Sequence, residues 1–379
     1  MNVVIAIDSF KGSLTSLEAG EKIKDGVLLA WPEAAVAVRP LADGGEGTVE
    51  ALTLGMGGVL ETVRVTGPLG RPVSCTYGLV ERGSEKLAVI EMSGAAGITL
   101  VSPEERNPLH TTTYGVGEVI LDAMEKGCRK FLLGIGGSAT NDGGTGMLQA
   151  LGFGLLDREG NPVSPGAKGL EQLVSITDAG VNPLLKMCSF RIACDVSNPL
   201  CGPRGCSAVY GPQKGADAAM IRQMDEWLSR YAALCPQADP NFPGAGAAGG
   251  LGFAFQAFTN AVLEPGADIV LDETGLEEYI QGADIVVTGE GRLDSQTVMG
   301  KAPAAVARLA KKYGKTVLAF SGCVTEDARA CNQAGIDAYF PILRRPSTLE
   351  EAMVKEAAGR NLRDTAEQVF RLVNACKEI

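Results

Sequence analysis

Carboxylates recur in this chain directly after short apolar segments that the sequence predicts to be strands. Each stands beside glycine or a short polar residue, and together they are Asp8, Asp43, Glu46, Asp142, Asp195, Glu290 and Asp294. The cations of the same predicted loops are Lys11, Lys214, Arg292 and Lys301. Any one of these charges could be a solvated cap or a surface residue, whereas the whole set indicates a cleft. A cleft that mixes carboxylates, cations and glycine amides suits phosphoryl transfer, which depends on positioning and charge neutralisation.

The densest of these loops lies in Phe131–Gly146, with the sequence FLLGIGGSATNDGGTG. An apolar strand, Phe131–Ile135, breaks into a glycine-rich run, and helix-forming residues resume at Met147–Leu151. Glycine lets backbone N–H groups turn toward an anion, and a helix N-terminus adds partial positive charge. This pattern predicts a phosphate site, where Asp142 suits a metal ion that bridges phosphates. Because glycine makes up 49 of 379 residues, roughly twice the usual ~7%, an ordinary strand–helix turn is the alternative.

The elements that must position these residues follow a parallel α/β rhythm at both ends of the chain. The strands Val3–Ile7 and Ala34–Val38 each lead into a carboxylate-bearing loop and then a helix. The first helix begins with a capping-box pattern, Thr15 and Glu18. Near the C-terminus the rhythm returns with a buried strand, Ile285–Val287, that ends in the loop TGEGRLD. In open parallel sheets, ligands bind at the carboxyl edge of the strands.

The remaining segments divide the chain into two predicted domains. Leu60–Val65, Val73–Leu79 and Leu87–Met92 are spaced as antiparallel strands, and one long helix, Thr348–Lys377, closes the chain. We therefore predict an α/β fold with a doubly wound parallel domain built from both chain ends, residues 1–66 plus 264–379. A second α/β domain, residues 67–263, is inserted into it, and the active site is expected in the cleft between the two.

Composition excludes several classes of function. The net charge of −11 and the absence of a basic block make nucleic acid and anionic membranes poor partners. Asn241–Leu263 carries no charge, but its glycines and polar residues predict a buried helix rather than a membrane span. Ten cysteines without a Cys-x-x-Cys pair, and a single histidine, disfavour zinc and favour reduced thiols. Since no signal peptide is recognisable, we expect a cytoplasmic protein.

The phosphoryl-transfer motifs of two large kinase classes are absent from the sequence. It has no Gly-x-x-x-x-Gly-Lys-Ser/Thr loop, and no His-Arg-Asp set with Asp-Phe-Gly. His110, the single histidine, has no Gly-x-Ser-x-Gly elbow to accompany it, so we predict a structural or surface residue. A phosphotransferase of another type is one interpretation of the charged loops that remains.

Seven motifs, in chain order, give that interpretation a family. They are Ile5–Lys11 (IAIDSFK), Ala42–Thr48 (ADGGEGT), Gly134–Gly144 (GIGGSATNDGG), Ala193–Pro199 (ACDVSNP), Gly211–Gly215 (GPQKG), Pro243–Gly250 (PGAGAAGG) and Thr288–Ser295 (TGEGRLDS). The set closely resembles the bacterial glycerate kinase family from Met1 to the C-terminal helices. The resemblance implies a flavodoxin-like domain and ATP-dependent phosphorylation of D-glycerate with Mg²⁺. The expected products are 2-phosphoglycerate and ADP, with 3-phosphoglycerate as the alternative.

The resemblance also suggests residue roles. The nucleotide phosphates are expected against Gly136, Gly137, Ser138, Asn141, Asp142, Lys214 and Gly246. Glycerate is expected between Asp8, Ser9, Lys11, Glu290 and Arg292, where Arg292 or Lys11 can hold its carboxylate. Asp195 is expected to orient the attacking hydroxyl, and Lys11 completes the predicted catalytic pair. Asp142 or Glu290 would hold the metal, with Asp43 and Glu46 as the alternative pair.

Two rival functions stay open at this point. A nicotinamide-dependent oxidoreductase could use the glycine loop as a dinucleotide site, although the acidic residue expected ~20 residues on is only loosely matched by Asp157 or Glu159. A non-catalytic protein could close on a small acid without consuming ATP. The sequence fits either a monomer or a homodimer.

Overall fold

The structure is a computed structural model in which residues 1–41 and 47–377 are described. The strands are β1 (Asn2–Ile5), β2 (Ala35–Val38), β3 (Val59–Thr66), β4 (Pro72–Arg82), β5 (Glu85–Glu91), β6 (Lys130–Gly134), β7 (Gly154–Leu156), β8 (Ser175–Thr177), β9 (Ser189–Ala193), β10 (Ala261–Glu264), β11 (Ile285–Leu293), β12 (Thr316–Val324) and β13 (Ala338–Pro341). The helices are α1 (Ser16–Ala30), α2 (Thr48–Gly55), α3 (Ser93–Ala96), α4 (Tyr114–Glu125), α5 (Thr145–Ala150), α6 (Cys206–Tyr210), α7 (Ala218–Ala233), α8 (Ala247–Phe258), α9 (Gly266–Glu273), α10 (Leu276–Gln281), α11 (Ala302–Lys312), α12 (Ala330–Gln333), α13 (Leu349–Met353) and α14 (Lys355–Lys377).

The described chain forms two compact units. The first contains residues 1–41, 54–56 and 266–377, and the second contains residues 47–53 and 57–265. The predicted fold class is confirmed: a doubly wound parallel α/β domain is built from both chain ends, and a second α/β domain is inserted into it.

The first unit is organised around a parallel sheet of five strands in the order β13-β12-β11-β1-β2. Successive side chains of a strand point to opposite faces. On one face Val3, Ile5 and Phe320 pack against the apolar stripes of α1 and α14, which include Ile23 and Leu362. Helix α11 contacts β11 and β12. The predicted capping box at the start of α1 is present, with both of its hydrogen bonds.

The second unit contains a mixed sheet of six strands in the order β10-β9-β6-β5-β4-β3. Strands β3, β4 and β5 run antiparallel, as their spacing predicted, whereas β5, β6, β9 and β10 pair in parallel. The core is aromatic near the centre of the sheet, where the rings of Phe131 and Phe190 stack with centroids 4.8 Å apart. Strand β3 pairs with β4 over eight residues, so it belongs to this unit rather than to the predicted domain of residues 1–66 plus 264–379.

Two elements differ from the sequence-based expectation. Strand β11 does not end at Val287 but continues to Leu293, because the loop sequence TGEGRL stays paired with β12. Gly289 lies at φ +148, a backbone conformation that other residues rarely adopt, and this conformation lets the strand continue. The predicted C-terminal helix is two helices, since Val354 is extended and separates α13 from α14.

The uncharged stretch Asn241–Leu263 contains a buried helix, as predicted, in α8. Among the described residues, no helix is both long and apolar enough to cross a membrane.

Candidate active site

The glycine loop, residues 135–144, follows β6 in the second unit. Gly136 and Gly137 are exposed at its tip, and Ser138 beside them is 8% exposed. The loop backbone is fixed against a neighbouring segment, because Ile98 N–H donates to the Gly137 carbonyl at 2.8 Å. Ala139 N–H donates to the Ala96 carbonyl at 2.9 Å. The tip of the loop is therefore open to a ligand while the rest of it is anchored.

Asp142 lies at the inner end of the glycine loop, where it is fully buried. Its Oδ2 accepts hydrogen bonds from Thr113 N–H at 2.8 Å, Thr113 O–H at 2.9 Å and Gly146 N–H at 3.3 Å, and its Oδ1 accepts one from Gly144 N–H at 3.1 Å. Burial raises the pKa of this carboxyl, and these hydrogen bonds oppose the rise. Asp142 thus caps the start of α5 from inside the protein.

This geometry changes two sequence-based expectations. The N-terminus of α5 was expected to attract a phosphate, but its N–H groups donate to the carboxylate of Asp142 instead. The same carboxylate was expected to hold a metal, yet it has no exposure and already accepts from four protein donors. The sequence indicated an acceptor among donors correctly and left its partners open.

Lys214 crosses behind the glycine loop and is 2% exposed. Its Nζ donates to Ser138 Oγ at 2.9 Å and to the Thr140 carbonyl at 2.6 Å. Burial lowers the pKa of this ammonium to about 8, with Asp142 and the Cys206 thiol opposing the change. Lys214 therefore contacts the loop from inside the protein rather than from the side that faces solvent.

The motif Pro243–Gly250 supports the same loop from another side. Gly143 N–H donates to the Gly249 carbonyl at 2.9 Å. Gly246 is buried, and a Cβ at that position would lie 2.2 Å from the Pro199 carbonyl oxygen, so only glycine fits. Asn141 is also fully buried, and its Nδ2 donates to Ser207 Oγ at 2.8 Å. Asn141 and Gly246 thus shape the loop rather than line its open side.

Asp195 lies two residues beyond β9, which pairs with β6 through Gly134 and Ala193. The loop that contains Asp195 and the glycine loop therefore leave the same edge of the sheet. The Asp195 side chain is exposed. This carboxylate is accessible to a reactant, in contrast to Asp142.

A second group of predicted residues lines a cavity of about 650 Å³ in the first unit. Its charged lining comprises Asp8, Lys11, Glu290, Arg292, Asp294 and Lys301, and Ser9 is also part of the wall. These residues converge because β1 and β11 are neighbours, and the Asp8 N–H donates to the Gly289 carbonyl at 2.9 Å. All five predicted substrate-binding residues are therefore brought into one pocket.

Glu290 is the most enclosed acid of this pocket after Asp8, with exposures of 8% and 6%. Its Oε1 accepts from Thr297 O–H at 2.7 Å, and its Oε2 lies 3.4 Å from Lys301 Nζ. Burial raises the pKa of Glu290, whereas Thr297 and Lys301 lower it. The cations toward the opening are more exposed: the Arg292 side chain is 65% exposed and its Nε lies 3.3 Å from Asp294 Oδ2.

Comparison with known proteins identifies the family of this chain. The sequence profile of the Glycerate kinase family matches residues 3–374. The chain belongs to the glycerate kinase family.

Individual relatives agree with this assignment over nearly the whole chain. Glycerate 2-kinase of Escherichia coli (strain K12) is 48% identical over 356 residues, covering 93% of each chain. Glycerate kinase of Halalkalibacterium halodurans is 46% identical over 369 residues, covering 95% of this chain and 97% of that one. The crystal structure of a candidate glycerate kinase 2 from Salmonella typhimurium LT2 superposes with a TM-score of 0.92 at 46% identity, covering 100% of both chains.

Membership of the glycerate kinase family confirms the prediction of a small-molecule kinase whose acceptor is an alcohol group. It decides against the two rival functions, the nicotinamide-dependent oxidoreductase and the non-catalytic binding protein. The alternative metal pair, Asp43 and Glu46, lies outside the described residues.

Sequence reasoning missed several residues of this glycerate kinase family member. Thr113 holds Asp142 and Thr297 holds Glu290, and single threonines in loops give no signal on their own. Thr348, which caps the start of α13, and Asn361 of α14 line the pocket of the first unit, in a region where the sequence shows only an amphipathic pattern. Lys301 and Glu290 were both recognisable as charged loop residues, but the sequence did not predict that they pair with each other.

Proposed function

We propose that this protein transfers the γ-phosphoryl group of ATP to the 2-hydroxyl of D-glycerate, giving 2-phosphoglycerate and ADP. The observation that carries the proposal is the pocket of the first unit, where Asp8, Glu290, Lys11 and Arg292 face one cavity. In a chain of the glycerate kinase family, such a pocket has the charges that a small hydroxy acid requires. The 2-hydroxyl is favoured over the 3-hydroxyl because the E. coli relative is a glycerate 2-kinase.

The acid end of glycerate is assigned to the two cations near the opening of the pocket, Lys11 and Arg292. Both line the cavity and are exposed, and a guanidinium can hold a carboxylate through two hydrogen bonds. Asp8 and Ser9 are assigned to the hydroxyl groups, since a carboxylate and a hydroxyl can accept hydrogen bonds from an alcohol.

The nucleotide phosphates are assigned to the open side of the glycine loop. Gly136 and Gly137 are its exposed residues, with the nearly buried Ser138 beside them, and backbone N–H groups without side chains suit the close approach of phosphate oxygens. Asn141, Asp142 and Gly246 are assigned a supporting role because they are buried. Asp195, exposed at the same sheet edge, is proposed to orient and deprotonate the attacking hydroxyl.

The enclosed carboxylate of Glu290 fits Mg²⁺ on chemical grounds. This ion is usually held by one or two carboxylates together with substrate phosphates and water. Glu290 would hold it, since its enclosed carboxylate makes one hydrogen bond and one long ion pair and so keeps lone pairs for a cation. The metal would neutralise phosphate charge during transfer. The chain itself would bind, orient and deprotonate the acceptor.

We further propose a cytoplasmic location. All ten cysteines of the chain are free thiols, which is the state that a reducing compartment maintains.

The decisive experiment combines an ADP-release assay with phosphorus NMR of the product. Purified protein with Mg²⁺, ATP and D-glycerate should release ADP at a rate typical of kinases, ~1–100 s⁻¹. Proton coupling identifies the acceptor directly, because a 2-phosphate couples to one methine proton and gives a doublet. A 3-phosphate couples to two methylene protons and gives a triplet.

Asp195→Asn is the matched control, since it keeps the shape of an exposed side chain and removes its basicity. It should fold normally and lose turnover. Folded wild-type protein that releases no ADP above a control without glycerate would contradict the proposed function. A triplet would contradict the regiochemistry alone.

A further inference from the structure

The contact between Lys214 and Ser138 fixes the direction of a hydrogen bond. An ammonium group has three donors and no acceptor. Lys214 Nζ lies 2.9 Å from Ser138 Oγ, so the serine oxygen accepts this hydrogen bond. The hydroxyl proton of Ser138 then remains to be donated elsewhere. A buried cation thereby determines what a nearly buried hydroxyl can offer to a ligand.

The position of Ser138 makes that donor useful. Ser138 follows the exposed Gly136 and Gly137, and the flanking backbone is held by the hydrogen bonds of Gly137 and Ala139 to the segment around Gly97. The second hydrogen bond of Lys214, to the Thr140 carbonyl at 2.6 Å, holds the ammonium in place. The serine hydroxyl therefore stands on a fixed backbone beside the open tip of the loop.

We propose that Lys214 is a positioning residue that makes Ser138 a hydrogen-bond donor to a phosphate oxygen of the nucleotide. The inference rests on the proposed function and deepens it, because it replaces direct contact between Lys214 and the nucleotide by contact through Ser138. Lys214 is 2% exposed, which fits action through a neighbour. An apolar side chain would fill the same space without the penalty of burying a charge, so the ammonium is explained by what it does to the loop.

A double-mutant cycle on nucleotide affinity tests the route through Ser138. We expect Ser138→Ala and Lys214→Met each to raise the Kd for MgADP by about 10-fold, as for loss of one hydrogen bond to a charged group. The double variant should bind no more weakly than either single variant, since both remove the same donor. Lys168→Met, which removes an exposed lysine paired with Glu171, should bind as the wild type does. Effects that multiply in the double variant would overturn the inference.

The pH dependence of the same Kd separates positioning from a general loosening of the loop. Above pH 8 the neutral amine of Lys214 can accept a hydrogen bond, so the Ser138 proton can turn inward. Two titratable groups face Lys214: the Cys206 thiol, whose pKa burial raises to about 12, and the Asp142 carboxyl, whose pKa burial also raises. Ser138→Ala retains both groups, so comparison with this variant isolates the contribution of the Ser138 proton. We therefore expect MgADP affinity to fall above pH 8 in the wild type and not in Ser138→Ala. The same fall in both proteins would overturn the inference.

Calorimetry without glycerate keeps this test independent of catalysis. A wild type that binds MgADP and turns over no glycerate contradicts the proposed function alone, and the cycle can still be completed. A wild type that binds no MgADP overturns the inference as well. If Lys214→Met does not fold, Lys214→Leu takes its place in the cycle, because its side chain likewise has no donor for Ser138 Oγ.

Discussion

The glycine loop of the second unit and the pocket of the first unit use charge in opposite ways. In the loop, Asp142 and Lys214 are buried and their hydrogen bonds go to protein atoms. In the pocket, Lys11 and Arg292 are exposed, and they line a cavity together with Glu290. Charges of the loop therefore stabilise a backbone shape, whereas charges of the pocket line a cavity that a ligand can enter.

The contrast shows that a motif rich in polar residues need not present those residues to the ligand. The loop turns its polar side chains inward and exposes its glycine backbone. The pocket instead lines its cavity with charged side chains. Variants in the loop should then change folding stability first and activity second. Variants in the pocket should change activity with little effect on stability.

The largest effect is expected for Asp142→Ala. The change leaves three buried N–H groups and the Thr113 hydroxyl without their acceptor, and each orphaned buried group is costly. We expect the free energy of unfolding to fall by about 3–5 kcal/mol, measured by urea denaturation. Asp195→Ala, at an exposed position, is the control and should change it by less than about 0.5 kcal/mol. Equal effects of the two variants would remove the distinction between loop and pocket.

An effect on activity with little loss of stability is expected for Glu290→Gln. The amide keeps the shape of the side chain and its hydrogen bond from Thr297, but it removes one of the negative charges of the pocket. We expect kcat/KM to fall by about 10²–10³-fold, measured by ADP release. A loss of stability comparable to that of Asp142→Ala would show that Glu290 is structural too.

The pH dependence of stability sharpens the same prediction. Burial raises the pKa of Glu290 above its value in the unfolded chain, 4.5. Above pH 4.5 the folded state therefore binds the proton more tightly than the unfolded state does. Ionisation then costs stability, and this cost appears as pH rises through the window above 4.5. Glu290→Gln avoids that cost. Its melting temperature relative to the wild type should therefore increase between pH 4 and pH 7, and a constant difference would contradict the assignment.

The smallest effect is expected for Arg292→Ala. Its side chain is 65% exposed, so its removal should leave the free energy of unfolding within about 0.5 kcal/mol of the wild type. The KM for glycerate should rise by about 10-fold through loss of a charged hydrogen bond. Arg308→Ala is the matched control, since Arg308 is 53% exposed and pairs with Asp268 outside the pocket. Equal KM values for the two variants would remove Arg292 from the site.

The fold was largely predictable because its signals are local. Strand β1 and helix α1 follow from the run Val3–Ile7 and the capping residues Thr15 and Glu18. The convergence of Asp8 and Glu290 could also be predicted, since each follows or extends a parallel strand and β1 pairs with β11. Periodicity and end signals of this kind do not depend on distant parts of the chain.

The partners of the site residues could not be predicted, because they lie far away in the sequence. Asp142 is satisfied by Thr113, 29 positions upstream, and Lys214 by Ser138 and Thr140, more than 70 positions away. No local pattern records such pairs. Burial was equally hidden: Asp142 and Asp195 both follow an apolar strand, yet of the two only Asp142 is enclosed.

The order of strands in the first unit has a consequence for synthesis of the protein. Strand β1 is flanked by β2, made almost at once, and by β11, which leaves the ribosome some 280 residues later. Until then the edge of β1 that pairs with β11 in the folded protein has no native neighbour. By that point all the strands of the six-stranded sheet have already emerged. The nascent chain must therefore keep its first strands from pairing elsewhere while the inserted domain folds, and this interval is when a chaperone would be of most use.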